Sequence, residues 1–373
     1  MGLSCIELTQ RLIQFPSLNP PGHEAEIIKY ISGVLEAAGM QVATHEFEPG
    51  RPSIVATVGG TSNLAPLAFT GHVDVVPLGE AEWLQDPFAG NIVDGKLYGR
   101  GSSDMKAGVA SFIVATITQI RKNTEFRRGI TLVITAGEET GCEGAFHLAR
   151  VNALGSAELL IVAEPSSNEP IIAHKGSVRL VVSAKGKTSH SSMPRVGENA
   201  IEKASKFILD LKDHKFDIVP HPLLGTTTSS VTTIAGGMNI NSVPDAASFT
   251  VDFRTIPGHC HKQLVQDVQD LMGDDAEITI VTDFGGFSTE PTNETIKHLL
   301  QILESRSGKT REPIGAPYFT DASALVPGFN DVPTVVLGPG EMEQCHQTDE
   351  YCYVHHIREA AAIYEELIST MCL

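Results

Sequence analysis

The chain has 373 residues, 42% of them hydrophobic, enough for a sizeable core and for two domains. Its 45 acidic residues against 27 basic ones give a formal net charge of −18, which repels phosphate backbones and anionic lipid and argues against nucleic acid or membrane partners. Residues 1–8 lack the basic head and long apolar core of a signal peptide, and no apolar run is long enough to span a bilayer, so a cytoplasmic protein is expected.

In chain order, the apolar spacing predicts helices over residues 5–15 and 24–38, separated by the breaker-rich loop Ser17-Leu18-Asn19-Pro20-Pro21-Gly22. Short strands follow near 41–47 and 53–58. The run Leu67-Ala68-Phe69-Thr70-Gly71 stops at His72-Val73-Asp74, Ile130–Thr135 runs into Gly137-Glu138-Glu139, and Leu159–Val162 runs into Ala163-Glu164-Pro165. Three strands thus end in charged clusters, and the C-terminal edge of an open α/β sheet is where ligands bind. Helical texture over 105–121 and 143–153 alternates with these strands, which predicts an α/β fold with a mixed, mainly parallel sheet and helices on both faces.

From about residue 176 the texture changes to Thr-, Ser- and Val-rich strands near 176–185, 226–234, 247–256 and 278–281, with helices over 200–211 and 261–271. The α/β texture resumes at 293–305 and 332–337 and closes with a helix over 356–369. A smaller α+β domain, 176–285, inserted into a larger one formed by 1–175 and 286–373, accounts for this order. The six cysteines include no Cys-x-x-Cys pair and read as free thiols in a reducing compartment; Cys142 and Cys345 read as small buried hydrophobes.

The strand-end clusters contain His72, Asp74, Glu138, Glu139 and Glu164. Asp104 stands in the glycine-flanked stretch Gly99-Arg100-Gly101-Ser102-Ser103-Asp104-Met105-Lys106-Ala107-Gly108, and His346 comes late in the chain. By itself Asp104 reads as a helix cap, and each histidine or glutamate has an equally plain structural reading. Together, imidazole nitrogen and carboxylate oxygen suit zinc or a related divalent ion, and two ions about 3.5–4 Å apart call for a bridging carboxylate. His72 and Asp74 point to the same side of a strand, so Asp74 is placed to accept the other ring N–H of a ligating His72. Adjacent Glu138 and Glu139 can divide the roles of general base and ligand.

Gly71-His72-Val73-Asp74, Gly101-Ser102-Ser103-Asp104-Met105, Gly137-Glu138-Glu139-Thr140-Gly141, Ala163-Glu164-Pro165 and Cys345-His346-Gln347 together resemble the ordered motif set of one family. It is the dinuclear zinc family of acetylornithine deacetylase, succinyl-diaminopimelate desuccinylase, aminoacylase and glutamate carboxypeptidase. The resemblance implies two zinc ions, for which cobalt or manganese could substitute: His72 and Glu164 on one, Glu139 and His346 on the other, with Asp104 bridging. It implies Glu138 as general base, Asp74 as partner of His72, and a cis bond after Asp104. It further implies a lid and dimerisation role for the inserted domain, with His190 reaching the partner subunit's active site to hold the oxyanion. Asn241 and Arg254 would contact substrate, Arg254 its carboxylate, and Thr320 would lie in a substrate loop. The activity implied is removal of an acetyl or succinyl group from an amino acid in arginine or lysine biosynthesis, with acetylornithine preferred. A dipeptidase or carboxypeptidase of the same family and a non-catalytic binding protein of the same fold are the alternatives.

Overall fold

The computed structural model describes residues 4–122 and 125–373. It divides into two compact units, one made of Met1–Ala173, Ser288–Gly315 and Thr320–Leu373, the other of His174–Phe287 and Ala316–Phe319. The short stretch 316–319 falls within the expected 286–373 segment but packs with the second unit. There Phe319 meets Phe284 edge-on at 5.1 Å, and the Ala316 carbonyl accepts the Lys175 N–H at 3.0 Å.

The first unit is built on a nine-stranded sheet. Its central strands, Ile130–Thr135, Leu67–His72, Leu159–Val162 and Thr334–Val336, run parallel in that order. Every residue of these four strands is buried, the pattern of parallel strands covered on both faces. The hairpin Gln41–Glu48 and Arg51–Val58 extends one side antiparallel. On the other side Ile171–His174 pairs antiparallel with Thr334–Val336. The fold is therefore α/β with a mixed sheet that is parallel at its centre, as the alternation of elements predicts.

Helices Cys5–Ile13, Ala107–Arg121 and Val354–Cys372 share one core with the sheet, in which Phe69 lies 5.9 Å from Phe112 and 5.3 Å from Tyr364. Helix Ala107–Arg121 comes very close to a strand end: a Cβ on Gly108 would lie 2.1 Å from the Ala163 carbonyl oxygen. Only glycine permits this approach, and it brings the loop holding Asp104 beside Glu164.

Asp104 is not the cap of that helix. The helix starts after Lys106, and Asp104 adopts a non-helical conformation (φ −116°, ψ 91°) in the irregular turn Ser102–Lys106, followed by a cis peptide bond to Met105. The short strands Ile92–Val93, Lys96–Tyr98 and Tyr351–Tyr353, which form a small sheet of their own, have no counterpart in the sequence reading. Two or three residues are too few to display a period.

The second unit is a four-stranded antiparallel sheet in the order Thr228–Gly236, Ala246–Thr255, Gly176–Lys185, Ala276–Phe284, with helices Ala200–Asp213 and His261–Met272. Val178, Leu180 and Val182 alternate into its core with Phe249, Val251 and Phe253. The edge strand Thr228–Gly236 is exposed along its whole length. Among the described residues no helix is long and apolar enough to cross a membrane.

Candidate metal centre

Three of the four strands of the parallel core each deliver one part of a single cluster. His72 closes its strand, the turn after Thr135 carries Glu138 and Glu139, and Glu164 follows Val162 by two residues. Two groups of potential ligand atoms result, His72 with Asp104 and Glu164, and Asp104 with Glu139 and His346, each with all ligand atoms within 4.8 Å of one another. Asp104 belongs to both through different oxygens. Its Oδ1 lies 3.1 Å from His72 Nε2 and its Oδ2 lies 3.4 Å from His346 Nε2. Glu164 Oε1 is 3.7 Å from His72 Nε2, and Glu139 Oε2 is 3.1 Å from His346 Nε2.

These separations fit a shared cation. Ligands about 2.1 Å from a tetrahedral zinc stand about 3.4 Å from each other. The tautomer of His72 points the same way. Its Nδ1 is 2.9 Å from the backbone carbonyl of Asp74, which can only accept, so Nδ1 carries the proton. Burial opposes a charged ring, but Glu164, Asp104 and Asp74 raise His72 well above its ordinary range. Without a metal a proton therefore sits on Nε2 between the carboxylates, and with one the Nε2 lone pair would face the ion together with Asp104 and Glu164. Glu139 Oε1 is buried and has no hydrogen-bond partner in the protein. Nitrogen and carboxylate donors in this number and spacing fit divalent metal.

The electrostatics describe the same conflict. Burial, then the charge of Asp104, pushes Glu164 well above the usual carboxylate range. Burial also raises Glu138 well above it, reinforced by Glu164, Glu139 and Asp321 against the pull of His72. Glu139 is raised by burial and by Asp104. Burial works against ionised Asp104 as well, but hydrogen bonds from His346 and His72 hold its carboxyl well below the ordinary value. Hydrogen bonds to Asp104 and Glu139 push His346 up to about 10. Carboxylates gathered in one buried pocket raise one another unless a cation joins them.

Asp74 differs from the expectation. Its carboxylate is 3.6 Å from His72 Nδ1, farther than its own carbonyl, and it accepts instead the backbone N–H groups of Glu138 (3.2 Å) and Glu139 (3.1 Å). Asp74 thus holds the turn that carries the two glutamates. Asn19, from the proline-flanked loop, donates from Nδ2 to Asp74 Oδ2 at 2.8 Å and to Thr140 Oγ1 at 2.9 Å, tying the turn on its far side. A loop motif rich in prolines signals a rigid turn but does not reveal which side chain faces inward.

Two further carboxylates stand near the cluster without having been singled out. Asp321 is buried, accepts the Thr135 hydroxyl at 2.5 Å, and forms a third group with Glu138 and Cys142. Glu350 is buried beneath the Asp104 loop. Cys142 is buried as expected, with Sγ 3.7 Å from Glu138 Oε1, whereas Cys345 is only partly buried.

The remaining residues singled out in the sequence are placed elsewhere. Thr320 is buried and its hydroxyl accepts the Ala322 N–H at 3.1 Å, at the start of helix Ala322–Gly328. His190, Asn241 and Arg254 all belong to the second unit. His190 is exposed, and its Nδ1 accepts the Ser192 N–H at 3.1 Å, so the proton of the neutral ring lies on Nε2. Asn241 is exposed, and its N–H donates to Asn239 Oδ1 at 3.2 Å. Arg254 lies against Asp252, with Nε 2.9 Å from Oδ1 and Nη2 3.2 Å from Oδ2, and its guanidinium carbon is 5.7 Å from the centre of the Phe319 ring.

Comparison with known proteins places this centre in context. The model of "Peptidase family M20/M25/M40" matches residues 68–370. A probable succinyl-diaminopimelate desuccinylase of Staphylococcus epidermidis is 32% identical over 361 residues, covering 88% of each chain. An acetylornithine deacetylase of Proteus mirabilis is 30% identical over 399 residues, covering 99% of this chain and 97% of its own. A metallo-carboxypeptidase of Sulfolobus solfataricus shares the fold with a TM-score of 0.81 at 18% identity, over 98% of both chains.

Proposed function

The chain belongs to peptidase family M20/M25/M40, and on that premise we propose that it is a two-metal amide hydrolase that removes an acetyl or succinyl group from the nitrogen of an amino acid. The observation that carries this reading is the division of Asp104 between two ligand groups, one oxygen facing His72 and the other His346, with Glu138 within reach of the charges of His72, Glu164 and Glu139. His72 and Glu164 would hold one ion, Glu139 and His346 the other, and Asp104 would bridge them. Ions held there polarise a carbonyl and lower the pKa of water.

The protein's own groups do the rest. Glu138, raised by its buried surroundings, is suited to take a proton from the attacking water and return it to the leaving amine. Asp74 and Asn19 hold its turn in place. His190 with its Nε2 proton is a donor for the oxyanion, offered from the second unit to the active site of a partner subunit. The exposed edge strand Thr228–Gly236 supports a homodimer through that unit, since unpaired edges accept another strand. Arg254 would pair with the substrate carboxylate and Asn241 would add a polar contact; Thr320 would act through the loop it stabilises. Both acyl classes occur among the relatives at similar identity; the acetyl preference rests on the likeness of residues 336–351 to acetylornithine deacetylase.

The test is metal content with turnover on a panel. Two ions per chain are expected, with N-acetylornithine hydrolysed faster than N-succinyl-diaminopimelate, simple N-acetyl amino acids or dipeptides. A wide margin for the succinyl substrate reverses the acyl preference, a margin for dipeptides makes the protein a peptidase, and two ions with no hydrolysis of any of them makes it a binding protein.

A further inference from the structure

The two ligand groups are anchored unequally. His72 and Glu164 follow directly from buried parallel strands. His346 stands in a loop with left-handed backbone (φ 64°), and just over half of its side chain is exposed. What fixes that loop is four residues further on. The carboxylate of Glu350 is completely buried and accepts four hydrogen bonds. Its Oε1 takes the N–H groups of Ser103 (2.8 Å) and of Asp104 itself (3.0 Å), and its Oε2 takes the N–H of Gly101 (2.9 Å) and Nη1 of Arg100 (2.8 Å).

Other bonds join the same two segments. The Glu350 carbonyl accepts the Gly99 N–H at 2.9 Å, Arg100 Nη1 reaches the Gln347 carbonyl at 3.0 Å, and Ser103 Oγ donates to the Tyr351 carbonyl at 2.8 Å. Arg100 is itself buried, and its guanidinium supplies the opposite charge that a buried carboxylate requires.

We propose that Glu350 is a positioning residue that locks the Asp104 loop to the His346 loop, and so sets the distance between Asp104 Oδ2 and His346 Nε2 without itself being a ligand. The inference rests on the two-metal reading and makes it asymmetric. Loss of Glu350 weakens the group containing His346, while His72 and Glu164 keep their places on the sheet.

Zinc titration of the metal-stripped protein, followed by calorimetry, tests this. Wild type is expected to take up two equivalents, and His346→Ala one, which identifies the equivalent belonging to the His72 group. Glu350→Gln keeps the size of the side chain but turns an amide donor toward backbone donors. It is expected to bind the His72-group equivalent within about threefold of wild type, and the other about 10–100-fold more weakly, the usual cost of removing an outer-sphere partner. Circular dichroism of the stripped variants checks folding. Should Glu350→Gln not fold, Glu350→Asp, which keeps the charge but withdraws it, is expected to show the same asymmetry. Equal weakening of both equivalents, or no weakening of either, overturns the proposal. Fewer than two equivalents in wild type overturns the two-metal reading instead.

Discussion

The candidate site residues of the two units are held in opposite ways, although the second unit also has long-range polar bonds such as Arg179 to Asp252. In the first, the bonds that shape the cluster join residues far apart in sequence: Asn19 to Asp74, Asp74 to Glu138 and Glu139, His72 to Asp104, Glu350 to Ser103 and Asp104. In the second, His190 bonds Ser192, Asn241 bonds Asn239 and Arg254 bonds Asp252, each partner only two residues away. The first arrangement is buried and exists only when the tertiary fold is complete. The second is local, with His190 and Asn241 exposed and Arg254 half-buried. Completing the fold of the first unit therefore assembles the candidate metal ligands, whereas short local turns and strand neighbours set the three residues of the second unit.

Removing the residue common to both ligand groups tests the first half of this contrast most severely. Asp104→Ala is expected to lose both ions and to reduce turnover more than about 10⁴-fold, read by metal analysis of a variant whose circular dichroism is unchanged. Retention of two ions would mean that the groups are independent. Glu138→Gln separates chemistry from assembly: two ions should remain while kcat falls by about 10²–10⁴, the range for a lost general base. A fully active variant removes Glu138 from the mechanism.

The second unit is tested by His190→Ala, expected to keep both ions and lose about 10²–10³ in kcat, as for one oxyanion donor. If the donor serves a partner's site, an equal mixture of His190→Ala and Glu138→Gln dimers allowed to exchange subunits regains about a quarter of wild-type activity, because half the dimers then contain one intact site. Absence of complementation confines His190 to its own chain. Arg254→Met should act on binding, raising KM about 10–100-fold with a smaller change in kcat, the value of a hydrogen bond to a charged group. An unchanged KM leaves Arg254 as the partner of Asp252 alone.

The same contrast governs what can be read from sequence. Apolar strands that stop at charged residues are visible in the chain, so His72, Glu138, Glu139 and Glu164 could be placed at one sheet edge. The α/β alternation and the parallel centre follow from the same runs. Asn19, Asp321 and Glu350 could not be read in this way, because a polar residue in a loop is conspicuous only once its burial is known. Asp74 is legible as the neighbour of His72 Nδ1, which its carbonyl meets at 2.9 Å and its carboxylate at 3.6 Å, whereas its bonds to the glutamate turn are not. Strand alternation sets the side to which it points, but the N–H groups it accepts come from a turn about sixty residues later. For Arg254, the intrachain carboxylate partner lies on the same face of its strand two positions back, a pairing the alternation rule allows as readily as a substrate contact.

The smallest effect on turnover, read only in stability, concerns His174 at the start of the second unit. Burial pushes its pKa down to about 4, while Nδ1 donates to the Lys175 carbonyl at 3.0 Å and the ring meets Phe287 edge-on at 4.5 Å. The unfolded chain takes up a proton on this residue below about pH 6.5, and the folded protein does so only below about 4. Its contribution is therefore fully present above about pH 6.5, declines by about 1.4 kcal/mol per unit as pH falls, and levels off below 4 after a loss of about 3 kcal/mol. Urea unfolding of the metal-loaded protein across this range should show His174→Leu losing less stability than wild type by about that amount, with turnover at pH 7.5 unchanged. Parallel pH profiles for the two proteins would mean that the folded state protonates His174 as easily as the unfolded chain, and that this part of the second unit is open to water.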